Sequence, residues 1–215
     1  MQYNHTPWGG EPVSPPPLKS FRLVQHNCLG SWDVFWSLFA SFTQLTHPPS
    51  IVTLQDPPVY RGKLPSFNFF TAFSPPTNGG CQPRVAFYVY SSILATICLL
   101  PRFFGRGDVR ALDRFTPDSF FNRSTTGFTI VNCYSTKGRL NNTRSVPPEI
   151  IFPESPLLTL MLGDLNIHHP MAEPLRVFKE DELATSTPYF DRATDFGFTL
   201  LNVPSQVSLI GFPCL

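Results

Sequence analysis

At 215 residues and 24.2 kDa, the chain is long enough for one substantial core and too short for two ordinary domains joined by linkers. Hydrophobic residues at 42% against only 14% charged exclude a disordered or coiled-coil chain. The formal net charge of +1 excludes a global basic field, so a polyanionic partner has to be met by a local basic surface.

Residues 1–20 are polar, proline-rich and without periodicity, and read as a tail outside the fold. The folded domain is expected over residues 21–203, followed by a divergent tail over 204–215. Phe21 to Asn27 alternates apolar and polar residues, the mark of a strand feeding a loop. Ser31 is placed as the N-cap of a helix over Asp33 to Leu45, with Phe35, Leu38, Phe39, Phe42 and Leu45 as an apolar stripe. Pro48-Pro49 is expected to end it. Ile51 to Asp56 is a buried strand closing on a carboxylate.

Tyr60 to Phe73 interleaves Arg61 and Lys63 with Phe67, Phe69, Phe70 and Phe73. That pattern could stack a base, although phenylalanines at such positions are more often inside. Pro75 to Pro83 is a turn, and Arg84 to Val89 is the strand that closes a hairpin. Ile93 to Leu100 and Val109 to Phe115 continue the run of strands, separated by a basic turn from Arg102 to Arg110. The most apolar window, Val85 to Leu100, falls short of the roughly 20 apolar residues a membrane helix needs. Phe128 to Ser135 is a strand leading into Lys137, Arg139 and Arg144, the best local basic patch. Asn141 to Pro156 is an irregular connection.

The chain is organised around Leu160 to His169, LMLGDLNIHH. An apolar run ends at Gly163, with Asp164, Asn166, His168 and His169 packed beyond it, which is where open α/β sheets place their chemistry. If strand geometry persists, Asp164 and Asn166 project to one side while Leu165 and Ile167 point into the core. Leu175 to Ala184 is expected to be helical, and Asp195 to Leu201 a short turn and strand. Gly-Asp and Asn are also ordinary turn residues, so this tetrapeptide alone decides nothing.

In order along the chain stand Asn27, Asp56 after Gln55, Tyr134, and Gly163-Asp164-Leu165-Asn166 with His169. This succession resembles the endonuclease/exonuclease/phosphatase superfamily, nearest to the endonuclease domain of fungal non-LTR retrotransposons. The resemblance implies an α/β, DNase I-like fold of two packed, mostly antiparallel sheets flanked by helices. It implies a phosphodiesterase dependent on Mg2+ (or Mn2+) that hydrolyses DNA. Asp56 and Asn27 would serve the metal; Asp164, Asn166, Tyr134 and His169 would be catalytic. Lys137, Arg139 and Ser135 would bind substrate, with the basic loop 137–144 meeting the DNA. Asp56 stands where the family usually has Glu, and Lys137 where the wider superfamily commonly has Asn. The family's closing Ser-Asp-His element has no counterpart, since no Asp or His follows Asp195, and a truncated, impaired copy is therefore expected. The alternatives are an inactive nucleic-acid-binding remnant and a phosphatase acting on a small phosphorylated substrate.

The five cysteines, Cys28, Cys81, Cys98, Cys133 and Cys214, form no CxxC pair and are odd in number. Together with the absence of a secretory leader pattern, they imply reduced, mostly buried thiols in an intracellular, nuclear protein. Neither a membrane partner nor a small-molecule cofactor is expected, and the chain is expected to act as a monomer.

Overall fold

A computed structural model describes residues 22–74, 82–96, 98–99, 109–115, 128–135, 146–152 and 159–199. Both tails, the core of the turn at residues 75–81, the basic turn from residue 101 to 108 and the loop carrying Lys137 and Arg139 lie outside the described residues.

Strands β1 (Leu23–Asn27), β2 (Ile51–Gln55), β3 (Phe70–Phe73) and β4 (Val85–Tyr90) form one sheet in the order β1-β2-β4-β3. A second contains β5 (Cys98–Leu99), β6 (Val109–Phe115), β7 (Phe128–Tyr134) and β8 (Thr159–Asp164), in sequence order. In each sheet one pairing is parallel, β1 with β2 and β7 with β8, and the other two are antiparallel. The two parallel pairs bring the C-terminal ends of β1, β2, β7 and β8 into play, and those ends carry the polar residues singled out in the sequence.

The period-two alternation of strands sorts the core into separate clusters. Val52, Leu54, Ala86 and Tyr88 pack with Phe35, Phe39 and Phe42 of helix α1 (Trp32–Phe42). Their neighbours Ile51, Phe87 and Val89 turn the other way and cluster with Ile130 and Leu162 of the second sheet. Val131 and Cys133, the alternate residues of β7, pack instead against Ile151 of helix α2 (Pro148–Ile151) and Tyr189 of helix α3 (Glu180–Asp195). Strand β2 is therefore buried along its whole length, which is why it reads as a continuous run rather than an alternating one. Each fully buried phenylalanine of α1 contributes about 1.5–3 kcal/mol.

Ser31 caps α1 as expected, its Oγ accepting from the Val34 N–H at 3.3 Å. The helix ends at Phe42, three residues before the expected Leu45, because the Thr43 N–H and hydroxyl both turn back to the Ala40 carbonyl. Leu45 is left exposed, outside the stripe. Phe67 and Phe70 pack against Phe39, which supports the core reading of that aromatic stretch, while Phe69 is exposed. The hairpin expected around residues 75–83 is the antiparallel pair β3–β4.

Three expectations are corrected. Residues Ser91–Thr96 form a 3-10 helix rather than a strand, because the Ser91 N–H and hydroxyl both bind the Phe69 carbonyl and pull the chain out of β4. The connection before β8 is not wholly irregular: Pro148, with φ preset by its ring, opens α2. The helix expected over Leu175 to Ala184 begins only at Glu180 and runs to Asp195, leaving Leu175 and Val177 almost fully exposed. Its buried residues are Ser186 and Tyr189, so the stripe at Leu175, Phe178 and Leu183 does not mark its inner face. Three acids in its first turn suit the helix dipole, and Pro188 sits inside it without an N–H for the Ala184 carbonyl. The turn expected from Asp195 is present at Phe196–Gly197; Phe198 and Thr199 after it are not in a strand, and the rest of the strand expected there, from Leu200, lies outside the described residues.

A buried amide links the sheets. Asn132 of β7 donates through Nδ2 to the carbonyls of Leu54 and Ala86, both at 3.0 Å, and its Oδ1 accepts from Gln55 Nε2 at 2.6 Å. Both side chains are fully buried, and Gln55 Oε1 already has no hydrogen-bond partner. Asn132→Leu keeps the volume but strands the Gln55 amide entirely, and is expected to cost about 2–4 kcal/mol. Urea denaturation should show a lower midpoint with an unchanged slope; an unchanged midpoint would refute this role.

Candidate active site

Four strand ends meet at one edge of the molecule. The β1–β2 register sets Asn27 opposite Gln55, and the chain beyond each strand is locked to the other: Cys28 N–H donates to the Gln55 carbonyl at 2.9 Å and Gly30 N–H to the Asp56 carbonyl at 2.8 Å. Asp56 N–H donates to the Arg84 carbonyl at 2.7 Å, tying the acid to the start of β4. In the second sheet Tyr134 is the register partner of Asp164, and Ser135 N–H donates to the Asp164 carbonyl at 2.9 Å.

The sheets are bridged here by side chains. Asn27 Nδ2 donates to Asp164 Oδ2 at 3.0 Å, and Gln25 Nε2 donates to the Gly163 carbonyl at 3.1 Å. Asp164 Oδ1 accepts from the Asn166 N–H at 3.0 Å, so both carboxylate oxygens are oriented by fixed donors. Asn166 Nδ2 in turn donates to the Ser135 carbonyl at 3.0 Å. On the other side, Arg84 Nε lies 2.9 Å from Asp56 Oδ1, and its guanidinium carbon sits 4.5 Å from the Tyr134 ring centre. The Nε–H is not aimed at the carboxylate, so the contact is ionic and that buried donor lacks an acceptor.

Asn27, Asp164 and Asn166 are thus brought into one hydrogen-bonded group, and Asp56 and Tyr134 are joined through Arg84. Strand geometry does not persist beyond Asp164: Asn166 has φ of +48°, a left-handed conformation that Asn tolerates, and it reaches the site by a turn closed on Asp164. Leu165 and Ile167 do point inward, against the cluster of Val131 and Tyr189. Asp56 is also left-handed, at +46°, which swings its carboxylate off the line of β2 towards Arg84. Ser135 is fully buried, its Oγ without a partner, and lies beneath Asn166 rather than on the open face. His169 stacks on Phe190 at 4.0 Å between ring centres, with Nδ1 accepting from the Met171 N–H. Lys137 and Arg139 lie outside the described residues.

Next to the site, burial pushes the Cys28 thiol up to about 12, with the nearby Asp56 charge adding to the effect. Cys28 and Cys133 are both buried, as expected of thiols in a core. His168 Nδ1 lies 2.6 Å from Glu173 Oε1, and that hydrogen bond, with Arg176 helping, holds the Glu173 carboxyl below its ordinary range. His168 therefore braces the turn before α3.

Among the described residues no three His, Cys, Asp or Glu side chains gather as a metal cluster. Mg2+, however, needs only one or two carboxylates and completes its octahedron with water and substrate phosphate. Asp56 and Asn27 are the oxygen donors that would hold such an ion: the Asp56 carboxylate already has a cation against it, the Arg84 guanidinium, and Asn27 Oδ1, which accepts from the Leu29 N–H at 3.0 Å, keeps a second lone pair.

Sequence reasoning missed Arg84, Gln25, Gln55 and Asn132 as parts of this edge. For Asn132 and Gln55 a signal existed, namely an amide inside a run of buried residues, which must find a partner there. For Arg84 there was none.

No protein-family model and no curated protein sequence matches the chain. No described helix is long and apolar enough to cross a membrane. Among solved structures, the chain is similar to the endonuclease domain of TRAS1, a telomere-specific non-LTR retrotransposon, with a TM-score of 0.59 and 15% sequence identity over 85% of this chain and 75% of that one. At the level of architecture this agrees with the resemblance read from the sequence: the chain has the fold of a non-LTR retrotransposon endonuclease domain.

Proposed function

We propose that the chain is a metal-dependent phosphodiesterase that nicks DNA, in the manner of a retrotransposon endonuclease, on a two-sheet sandwich flanked by helices. The observation that carries the reading is the Asn27–Asp164–Asn166 group at the strand ends, flanked by Asp56 and Tyr134, on a fold shared with an endonuclease domain.

Asp56, with the amide oxygen of Asn27, would hold Mg2+ or Mn2+, and the bound ion would polarise a phosphate oxygen and stabilise the leaving 3′ oxygen. Asp164, pinned by two donors, orients the attacking water and takes its proton as the water adds in line with the leaving group. Asn166 uses one amide N–H on Ser135 and has the other for a phosphate oxygen, while the Tyr134 hydroxyl donates to the same group. His169 stands next to this arrangement in sequence, and Lys137 and Arg139 supply positive charge for the DNA backbone. No covalent intermediate forms. The DNA substrate makes the nucleus the place of action.

Purified chain mixed with supercoiled plasmid is expected to produce open circles in Mg2+ and none in EDTA. If no open circles appear in Mg2+ or Mn2+ while a folded chain is confirmed by circular dichroism, the reading is wrong.

A further inference from the structure

Arg84 is the feature of this edge that the proposed reaction does not use. It is the acidic residue's own cation: among the described residues, its ion pair is with Asp56, the carboxylate assigned to the metal. Its guanidinium lies over the face of Tyr134, the residue assigned to the phosphate. The side chain as a whole is 38% exposed, yet its Nε is buried and has no hydrogen-bond acceptor. A planar cation set between a metal-binding acid and a phosphate-binding phenol, with a donor left over, is incompletely satisfied by its present partner.

We propose that Arg84 is a displaceable counter-ion that couples divalent-cation binding at Asp56 to phosphodiester binding beside Tyr134. The inference rests on the phosphodiesterase reading for the identity of the anion. With neither ligand present, the guanidinium neutralises Asp56. A divalent ion arriving there meets a positive group already in contact with the same carboxylate, and repulsion weakens its binding. A phosphodiester gives the guanidinium a second anion, with a geometry that its planar fork matches. Turning about the Tyr134 face, Arg84 passes from carboxylate to phosphate and leaves Asp56 to the metal. Since linkage is reciprocal, each ligand strengthens the other by the same factor, in the range of about 5–150-fold common for coupled sites.

The test is Mn2+ titration of the full chain by electron paramagnetic resonance, with and without the dinucleotide TpT, for the wild type, Arg84→Gln and Arg84→Lys. Without TpT, Arg84→Gln is expected to bind Mn2+ about tenfold more tightly than the wild type, and saturating TpT is expected to narrow that gap by raising the wild-type affinity by a larger factor than the variant's. Equal Mn2+ affinities in wild type and Arg84→Gln, whether both measurable or both undetectable, overturn the proposal, as does an equal response of both to TpT. Should Arg84→Gln fail to fold by circular dichroism, Arg84→Lys decides: it keeps the charge without the planar fork, so a TpT effect as large as the wild type's overturns the proposal and a reduced one supports it. Plasmid nicking by the wild type alongside equal Mn2+ affinities would sink this inference and leave the nuclease reading standing. Tighter Mn2+ binding by Arg84→Gln in a chain that never nicks would do the opposite.

Discussion

Asp164→Asn is expected to lower plasmid nicking by about 10²–10⁴-fold, the usual contribution of a positioned acid-base group. The argument comes from what surrounds the carboxylate. Both of its oxygens accept hydrogen bonds, one from Asn27 Nδ2 and one from the Asn166 N–H, each at 3.0 Å. An amide in the same place offers one acceptor and sets an NH2 against one of those donors, and it has no charge with which to take a proton from water. Asn27 has little freedom to compensate, because its own Oδ1 accepts from the Leu29 N–H at 3.0 Å, and turning its amide over would break that bond. The loss in stability is expected to be only about 1 kcal/mol, so a large drop in rate in a chain that melts within a few degrees of the wild type separates chemistry from folding. Nicking retained within threefold would remove Asp164 from the mechanism.

Gly163→Ala is expected to cost about 4 kcal/mol or more, among the largest effects of any single substitution. Gly163 has φ of +142°, a conformation that side-chain-bearing residues rarely adopt, and it lies directly opposite Cys133 in the parallel pairing of β7 and β8. A Cβ there would overlap the Cys133 carbonyl oxygen, with the carbonyl carbon at 2.8 Å and the amide nitrogen at 2.9 Å. These are backbone atoms of a buried strand, so relief requires the two strands to part, and that separates Tyr134 from Asp164 as well. For a chain of this size the loss corresponds to a fall of about 8–16 °C in Tm. Calorimetry checks it; a melting point unchanged within about 2 °C would show that the β7–β8 register yields easily, against the geometry. The same glycine carbonyl accepts from Gln25 Nε2, so the substitution should also loosen one of the bridges between the sheets.

Much of the site could be read along the chain because its residues stand where apolar runs stop. Asn27 closes an alternating strand, Asp56 follows the fully buried β2, and Asp164 ends the apolar but half-buried β8. The fold then carries those ends to a common edge because β1 pairs with β2 and β7 with β8 in parallel. Tyr134 was legible only through the family resemblance; the strand was expected to run to Ser135, and it ends at Tyr134. The N-cap at Ser31 and the phenylalanine stripe of α1 were plain, since a cap and a helical period are properties of neighbouring residues. Local pattern failed at α3, where the inward face is made by Ser186 and Tyr189 and the helix runs through Pro188. There the Tyr189 hydroxyl donates to the Val146 carbonyl at 2.6 Å, a bond spanning 43 positions that no periodicity announces.

By itself the sequence determined where the strands of the site end to within a residue, which face of α1 is buried and that an acid-amide pair stands at the close of the last apolar run, because hydrophobic period and turn chemistry act over a few residues. Only the tertiary structure decided that Asn27 orients Asp164 from 137 positions away, that Asn132 ties the sheets together, and that Arg84 stands between Asp56 and Tyr134. Those meetings depend on strand register and on two left-handed residues at the site's rim, Asp56 and Asn166, whose side chains leave the line of their strands. A half-turn of backbone at either one redirects a functional group by several ångströms, and nothing in the spacing of letters records it.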